Sequence, residues 1–164
     1  MNIFIRTVSL EDLDAVTSIE EICFPKAEAA TKESLEYRIK TFPESFLVAV
    51  DSDNNKIIGF INGCITDSNV ILDSLYEPEG GHNPNGKNQT VFGLDVLPEY
   101  QRKGIASLLM RSLMEKSKKS GKEKMVLTCK ENLIGFYESF GYKNYGVSES
   151  THGGVVWYDM IAKL

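Results

Sequence analysis

A chain of 164 residues, 42% hydrophobic and without low-complexity tracts, is predicted to form one globular domain over residues 1–164. The N-terminus lacks the apolar core of a signal peptide, and no apolar run is long enough to span a membrane. Cys23, Cys64 and Cys129 are odd in number and widely spaced. They predict reduced thiols in a cytoplasmic protein that holds no metal.

Charge is distributed unevenly along the chain. Residues 101–124 carry eight basic side chains against two acidic ones, whereas residues 1–100 carry 17 acidic side chains against seven basic ones. The basic stretch suits a polyanionic small molecule, and the acidic remainder attracts a cationic substrate and repels nucleic acid. Some of these lysines (Lys116, Lys118 and Lys119) instead favour a solvated helix C-terminus.

The apolar pattern of the first half predicts a strand, two helices and a two-stranded hairpin, over residues 2–7, 10–23, 32–40, 46–50 and 56–66. Ser9 and Thr31 are the predicted N-caps of the two helices. The first helix is predicted to bury Leu10, Leu13, Val16, Ile19 and Ile22.

Residues 67–88 are rich in acidic side chains, proline and glycine and predict a long surface loop. Loops of this length are often functional lids, and the acidity suits a positively charged substrate. A mobile loop without a role is the alternative.

The next segment predicts a strand over residues 91–96, a turn at Pro98 and a helix with apolar residues at 105, 108, 109 and 113. Unpaired backbone N–H groups and the helix dipole suit a phosphate group at this helix start. Arg102 and Lys103 add positive charge there, and Gly104 and Ala106 allow close approach to the backbone. The sequence therefore predicts a diphosphate-binding site.

The C-terminal part predicts a strand over residues 124–128 and a short helix over residues 132–140, with Gly141 at its C′ position. Residues 142–147 and 155–162 predict a final strand pair. Seven strands and four helices follow in the order βααβββαβαββ.

The segment Gln101-Arg102-Lys103-Gly104-Ile105-Ala106 matches neither nucleotide-binding glycine motif. It resembles the Q/R-x-x-G-x-G/A signature of the GNAT superfamily of acyl-coenzyme A N-acyltransferases. The resemblance implies an α/β (mixed α+β) fold: a single GNAT domain with a twisted sheet of about seven strands and helices on both faces. It also implies acetyl-CoA as cosubstrate, bound by Leu94, Asp95, Val96, Gln101, Arg102, Lys103, Gly104, Ile105, Ala106, Ser107, Asn132 and Phe136. In such a fold a splayed strand pairs with the pantetheine arm through the backbone around Leu94 and Val96.

Residues 127–142 are similar to the arylalkylamine (serotonin-type) N-acetyltransferases. The matching residues are Cys129, Leu133, Phe136, Tyr137, Phe140 and Gly141. Lys130 stands where many other GNAT members have Asn. The resemblance implies that Tyr137 is the general acid, and a phenol of pKa about 10 is matched to a departing alkyl thiolate.

The resemblance does not extend to the general base. Vertebrate arylalkylamine enzymes have two histidines at the positions of Thr90 and Phe92, and neither of these residues accepts a proton. Glu28 and His152 are the candidate bases, and a relay of ordered water is the alternative. The second histidine, His82, lies in the acidic loop.

The function expected from these features is acetyl transfer from acetyl-CoA to a small primary amine, such as an arylalkylamine or a polyamine, by direct attack on the thioester. A peptide or protein N-terminus, or a lysine, is the main alternative acceptor. A non-catalytic acyl-CoA-binding sensor is the second alternative. A monomer or a homodimer without nucleic-acid or membrane partners is expected, while the acceptor itself stays open.

Overall fold

The structure, a computed structural model, describes residues 1–77 and 81–164. Within these residues the chain forms nine strands and four α-helices. The first half comprises β1 (Ile3–Thr7), α1 (Leu13–Cys23), α2 (Lys32–Thr41), β2 (Phe46–Asp51), β3 (Lys56–Asn62) and β4 (Ile65–Thr66). The second half comprises β5 (Asn88–Val91), β6 (Gly93–Val96), α3 (Ile105–Lys119), β7 (Lys124–Cys129), α4 (Ile134–Glu138), β8 (Lys143–Val147) and β9 (Tyr158–Lys163).

The strands form two sheets. The first has the order β1-β2-β3-β6, with antiparallel neighbours throughout. The second has the order β4-β5-β7-β9-β8, in which β5 and β7 are parallel and the other pairs antiparallel. The mixed α/β fold that the resemblance implied is confirmed, with nine strands in place of about seven.

The two extra strands arise because two predicted strands are broken. Residues 91–96 divide at Phe92, and residues 56–66 divide at Gly63 and Cys64. A Cβ atom at Gly63 would lie 1.9 Å from the carbonyl oxygen of Thr90, so the two backbones approach closely there. The breaks move the chain from one sheet to the other. Among the described strands β6 pairs only with β3, which leaves its other edge unpaired.

Helix α1 differs from the predicted amphipathic pattern at both ends. A 3-10 turn over Leu10–Asp12 precedes it, and the backbone N–H of Ser9 donates to Asp12 Oδ2 at 2.8 Å. Leu10 belongs to this turn and is 48% exposed. Ile22 is 55% exposed because the buried face of the helix ends before the last turn. Leu13, Val16 and Ile19 are buried as predicted.

The predicted N-cap of α2 and the predicted glycine after α4 are both present. Thr31 caps α2, since its Oγ1 accepts from the backbone N–H of Ser34 at 3.1 Å. The predicted helix at residues 132–140 is shorter, a 3-10 turn followed by α4. Gly141 has φ of +98° and donates to the carbonyl of Glu138, as its predicted C′ position requires.

Helix α3 packs on β2, β3 and β6, and α1 packs on β3 and β6. The predicted buried face of α3 is right for Ile105, Leu109 and Leu113, but Leu108 is 39% exposed. Met110, which the pattern did not include, is fully buried in its place. Within the described ranges, none of the helices is both long and apolar enough to cross a bilayer.

Neighbouring leucines of α3 provide a matched test of this packing. We expect Leu109→Ala to lower the free energy of unfolding by about 2–5 kcal/mol, since it empties a fully buried site. Leu108→Ala removes the same atoms from a half-exposed site and should cost less than about 1 kcal/mol. Urea unfolding followed by circular dichroism measures both; equal losses would contradict the orientation of α3.

Candidate functional site

A cleft of about 870 Å³ lies where the two sheets separate. Residues 93–96 of β6 line it from the first sheet, and residues 127–129 of β7 line it from the second. The cleft exists because β7 pairs with β5 and not with β6. We call it the central cleft.

The central cleft brings together many of the residues that the sequence singled out. Those that line it are Glu28, Leu94, Asp95, Val96, Gln101, Asn132, Tyr137 and His152. Those outside its lining are Arg102, Lys103, Gly104, Ile105, Ala106, Ser107 and Phe136. The candidate acid and both candidate bases therefore face one space, and most of the predicted diphosphate site lies beyond it.

The predicted diphosphate site is the start of α3. Its first helical hydrogen bond runs from Leu108 N–H to the Gly104 carbonyl at 3.0 Å, so the amides of residues 105–107 precede that ladder. Gly104 has φ of +81°, and Arg102 also has a positive φ, of +61°. Gln101 Nε2 donates to the Val96 carbonyl at 2.9 Å and thereby joins this turn to β6.

Glu28 is held in an ion pair. Lys130 Nζ lies 2.8 Å from its Oε1 and 3.1 Å from its Oε2, and only the Oε2 contact has hydrogen-bond geometry. The carboxylate is 6% exposed, and the last hairpin closes over it: a Cβ atom at Gly153 would lie 2.6 Å from Glu28 Cγ. Its negative charge is thus already compensated within the fold.

His152 is fixed beside Glu28 by its backbone neighbours. Its Nε2 lies 2.8 Å from the carbonyl oxygen of Glu28. Because a carbonyl only accepts, Nε2 carries the proton, which leaves Nδ1 of the neutral ring as an acceptor. Trp157 Nε1 donates to the His152 carbonyl at 2.7 Å.

Four aromatic rings form one wall of the central cleft: Tyr76, Phe92, His152 and Trp157. Tyr76 stacks on His152 with centroids 5.2 Å apart and contacts Phe92 at 4.9 Å. The face of an aromatic ring attracts cations, so this wall suits a cationic or aromatic ligand.

The predicted acidic loop contributes to that wall. Asp73 accepts from Ser150 Oγ and from the backbone N–H of Thr151, which ties the loop to the last hairpin. Asp73, Tyr76 and Glu77 then line the cleft. Residues 78–80, which include Pro78, Glu79 and Gly80 of the predicted loop, lie outside the described residues. His82 ties the loop to β4, because its Nδ1 accepts a hydrogen bond from the Ile65 N–H at 3.1 Å.

Tyr137 lines the cleft and is buried among aromatic rings. Its ring meets Phe136 at 5.1 Å and Tyr142 at 5.9 Å, both edge to face. Burial raises the pKa of the Tyr137 phenol, and the nearby Cys129 and Asp95 raise it further. The phenol therefore stays protonated at neutral pH, as a proton donor must, but it is a weaker acid than the free phenol whose pKa was matched to an alkyl thiol.

The cysteines beside the cleft are thiols and not thiolates. Burial, with a smaller effect of the Asp95 charge, raises the pKa of Cys23 to about 12, and its Sγ–H donates to the Val96 carbonyl at 3.4 Å. Burial raises the pKa of Cys129 to about 11. Neither thiol is activated as a nucleophile, which argues against a covalent acyl-cysteine intermediate.

The sequence reasoning missed a buried polar cluster under the cleft: Glu20, Arg38, Asn62 and the side chain of Asp95. Glu20 Oε2 accepts from the Ala30 N–H at 2.8 Å, and Arg38 Nη1 donates to Asn62 Oδ1 at 3.0 Å. Burial and the adjacent Glu20 carboxylate raise the pKa of Asp95. The signal available was an acidic residue inside the apolar run of residues 91–97.

Comparison with known proteins gives matches in sequence and fold. Residues 13–142 match the family described as acetyltransferase (GNAT) family. An uncharacterised N-acetyltransferase of Bacillus subtilis (strain 168), YkwB, is 28% identical over 130 residues, which cover 68% of this chain and 53% of that protein. The serotonin N-acetyltransferase of Mesocricetus auratus is 25% identical over 113 residues, with the same shares covered. The chain thus spans about half the length of these relatives.

The fold is shared with a solved structure, the GphF GNAT-like decarboxylase in complex with isobutyryl-CoA. The two superpose with a TM-score of 0.83 and 20% identity over 98% of each chain.

Proposed function

We propose that this chain, which belongs to the acetyltransferase (GNAT) family, transfers an acetyl group from acetyl-CoA to a primary amine. The unpaired edge of β6 supports this activity most directly. That edge opens into the central cleft and offers backbone groups to an extended amide-containing chain such as pantetheine. An acyl-thioester at its end would then face the same cleft as Tyr137.

The residues around β6 fit an acyl-coenzyme A. The amides of residues 105–107 and the charges of Arg102 and Lys103 suit its diphosphate, and Gln101 links that site to the strand. The fold shared with a protein that holds isobutyryl-CoA supports the same choice. Leu94 and Val96 are the strand residues that we assign to the pantetheine arm, together with Asn132, which lines the cleft, and Phe136, which packs against Tyr137.

In the proposed reaction a neutral amine attacks the thioester carbonyl carbon directly. The C–N bond forms, the C–S bond breaks, and the departing sulfur takes the proton of the Tyr137 hydroxyl. A free alkylammonium has a pKa of about 10, so a base must first remove its proton. Glu28 and His152 lie on the acceptor side of the cleft as candidates for this step.

The acceptor side of the cleft suits a cationic amine with an apolar or aromatic part. Acidic side chains line it together with the aromatic wall: Glu20, Glu33, Asp73 and Glu77, besides Glu28, which is paired with Lys130. An arylalkylamine or a polyamine has this chemistry, and the likeness to serotonin N-acetyltransferase supports the first of these. A peptide amine is the competing acceptor, and a non-catalytic acyl-CoA-binding module is the competing function.

Thiol release from acetyl-CoA tests the proposed activity. We expect turnover with arylalkylamines or polyamines above that with short peptides, because a cation and a ring fit the acidic and aromatic lining. Turnover with peptides alone would make the chain a peptide acetyltransferase. Tight acetyl-CoA binding without any turnover would favour the sensor module.

Tyr137→Phe should lower kcat by about 10²-fold or more, because it removes the proton donor and keeps the ring. Acetyl-CoA binding, measured by calorimetry, should stay within about twofold of the wild type. Tyr142→Phe is the matched control, since its hydroxyl contacts Met110 Sδ at 3.4 Å, away from the cleft lining. An unchanged kcat in Tyr137→Phe would remove Tyr137 from the chemistry.

Arg102→Ala should weaken coenzyme A binding about tenfold at low salt, since it removes one charge-assisted contact to phosphate. The difference from the wild type should shrink as salt is added. Lys118→Ala removes another exposed charge, from the far end of α3, and should leave the affinity unchanged. Equal affinity of Arg102→Ala and the wild type would show that the phosphates bind elsewhere.

A further inference from the structure

Two carboxyl groups from different elements meet at the floor of the central cleft. Asp95 lies on β6 and is 1% exposed, and Glu20 lies on α1 and is 6% exposed. Both line the cleft. Within the described part of the chain neither oxygen of Asp95 receives a hydrogen bond. We call Glu20 and Asp95 the carboxyl pair.

A small polar gap adjoins the carboxyl pair at Gly93. A Cβ atom at Gly93 would lie 3.1 Å from Asp95 Oδ1, 3.6 Å from Asn62 Nδ2 and 3.7 Å from Glu20 Oε1. Among the described residues, Asn62 Nδ2 is also buried without an acceptor. Unused donor and acceptor atoms thus converge on a space that only the absence of a side chain keeps open, and buried polar atoms are rarely left in this state.

The arrangement calls for one shared proton. Two ionised carboxylates are acceptors only, so they cannot hydrogen-bond to each other, and burial makes their mutual repulsion severe. With one proton between them, one carboxyl donates to the other and the pair carries a single negative charge. The charged and titratable groups that face the pair are Arg38 from α2, Cys23 from α1 and Tyr137 from α4. Arg38 is 6% exposed and supplies the compensating positive charge.

We propose that the carboxyl pair holds one shared proton and accepts a second proton from the ammonium group of the acceptor, and so acts as the general base. This role rests on the proposed N-acyl transfer. The surroundings favour the pair over Glu28, which is committed to Lys130, and His152 remains the competing base through Nδ1.

The proton balance of the step is complete. The acceptor ammonium gives one proton to the pair, which becomes neutral, and the free amine attacks the thioester carbonyl. The sulfur leaves with the proton of Tyr137, and the phenolate recovers a proton from the nitrogen of the new amide. The pair then returns its extra proton to water, so one proton is released for each amide formed.

Carbon-13 NMR of the carboxyl carbons tests the shared proton without substrate or substitution. In the wild-type protein we expect the Asp95 carboxyl to titrate well above pH 4, because burial and Glu20 raise its pKa; Asp159, whose pKa burial also raises, is a second aspartate expected above its usual value. The Asp95 resonance should vanish in Asp95→Asn, and that of Asp159 should remain. If no aspartate resonance that titrates above about pH 5 is lost in Asp95→Asn, the shared proton is wrong, whatever the enzyme activity.

Stability against pH gives a second readout that needs no turnover. A carboxyl whose pKa is higher in the folded than in the unfolded state makes the protein lose stability as pH rises from the unfolded value through the folded one. The free energy of unfolding, measured with urea, should therefore fall as pH rises above 4 in the wild type, and it should fall less in Asp95→Asn. If the free energy of unfolding depends on pH in the same way in both proteins, the proposal is wrong.

The pH dependence of kcat/KM tests the base role. Asp95→Asn should lower kcat/KM by about 10²-fold or more. Glu20→Gln keeps an acceptor for the Ala30 N–H, removes the repelling charge and gives Asp95 a donor. Asp95 then carries the single negative charge without a second titrating carboxyl beside it, so the acid limb of the profile should remain, while the carbon-13 titration of Asp95 should move to lower pH.

Asp159→Asn is the matched control, because burial also raises the pKa of Asp159, yet this residue of β9 is outside the cleft lining. The acid limb of the kcat/KM profile of Asp159→Asn should lie at the same pH as that of the wild type. An acid limb that is lost in Glu28→Gln or His152→Gln and survives in Asp95→Asn would overturn the base assignment. If no acceptor supports thiol release while the carboxyl titration is present, the shared proton stands and the acyl-transfer function, with its base, is wrong.

Discussion

The close approach of two backbones at Gly63 determines the form of the site. A side chain at this position would collide with the carbonyl of Thr90, so only glycine allows the two chain segments to approach here. At this point one segment passes from β3 of the first sheet to β4 of the second, and the other passes from β5 of the second sheet to β6 of the first. Around this contact, the Thr90 N–H donates to the Cys64 carbonyl and the Phe92 N–H to the Asn62 carbonyl. Because these bonds hold β6 on the first sheet, β7 has no partner beside it there, and the central cleft remains open.

The same division of the strands explains why charged groups are buried next to the cleft. Asp95 lies on the short strand after the break, where its side chain reaches the carboxyl of Glu20 on α1. Burying such a group costs several kcal/mol unless it is neutralised or paired. A proton shared with Glu20 and the positive charge of Arg38 offset much of that cost. Among the described residues no N–H or hydroxyl group donates to Asp95. The fold thus keeps unsatisfied polar atoms at the floor of a cleft, where a ligand or water reaches them.

Features that depend on local sequence were predictable, and features that depend on distant contacts were not. The turn at Pro98, the start of α3 and the C′ glycine at Gly141 follow from neighbouring residues, and the structure contains each of them. The break at Phe92 was missed because residues 91–96 read as one continuous apolar strand, and its cause lies on β3. The carboxyl pair was missed for the same reason, since Glu20 and Asp95 are far apart in the chain. The resemblance located the cleft through Tyr137, while the roles of its residues stay predictions.

The positions of Tyr137 and Asp95 couple the acid and the base of the proposed reaction. A negative charge on Asp95 raises the pKa of Tyr137, because it opposes formation of a second negative charge on the phenolate. When the carboxyl pair takes the proton of the ammonium group, its charge disappears and this opposition ends. Tyr137 then becomes the stronger acid at the stage when the thiolate departs and needs a proton. Removal of the ammonium proton by the carboxyl pair therefore favours transfer of the Tyr137 proton to sulfur. Electrostatics alone would place the first transfer before the second.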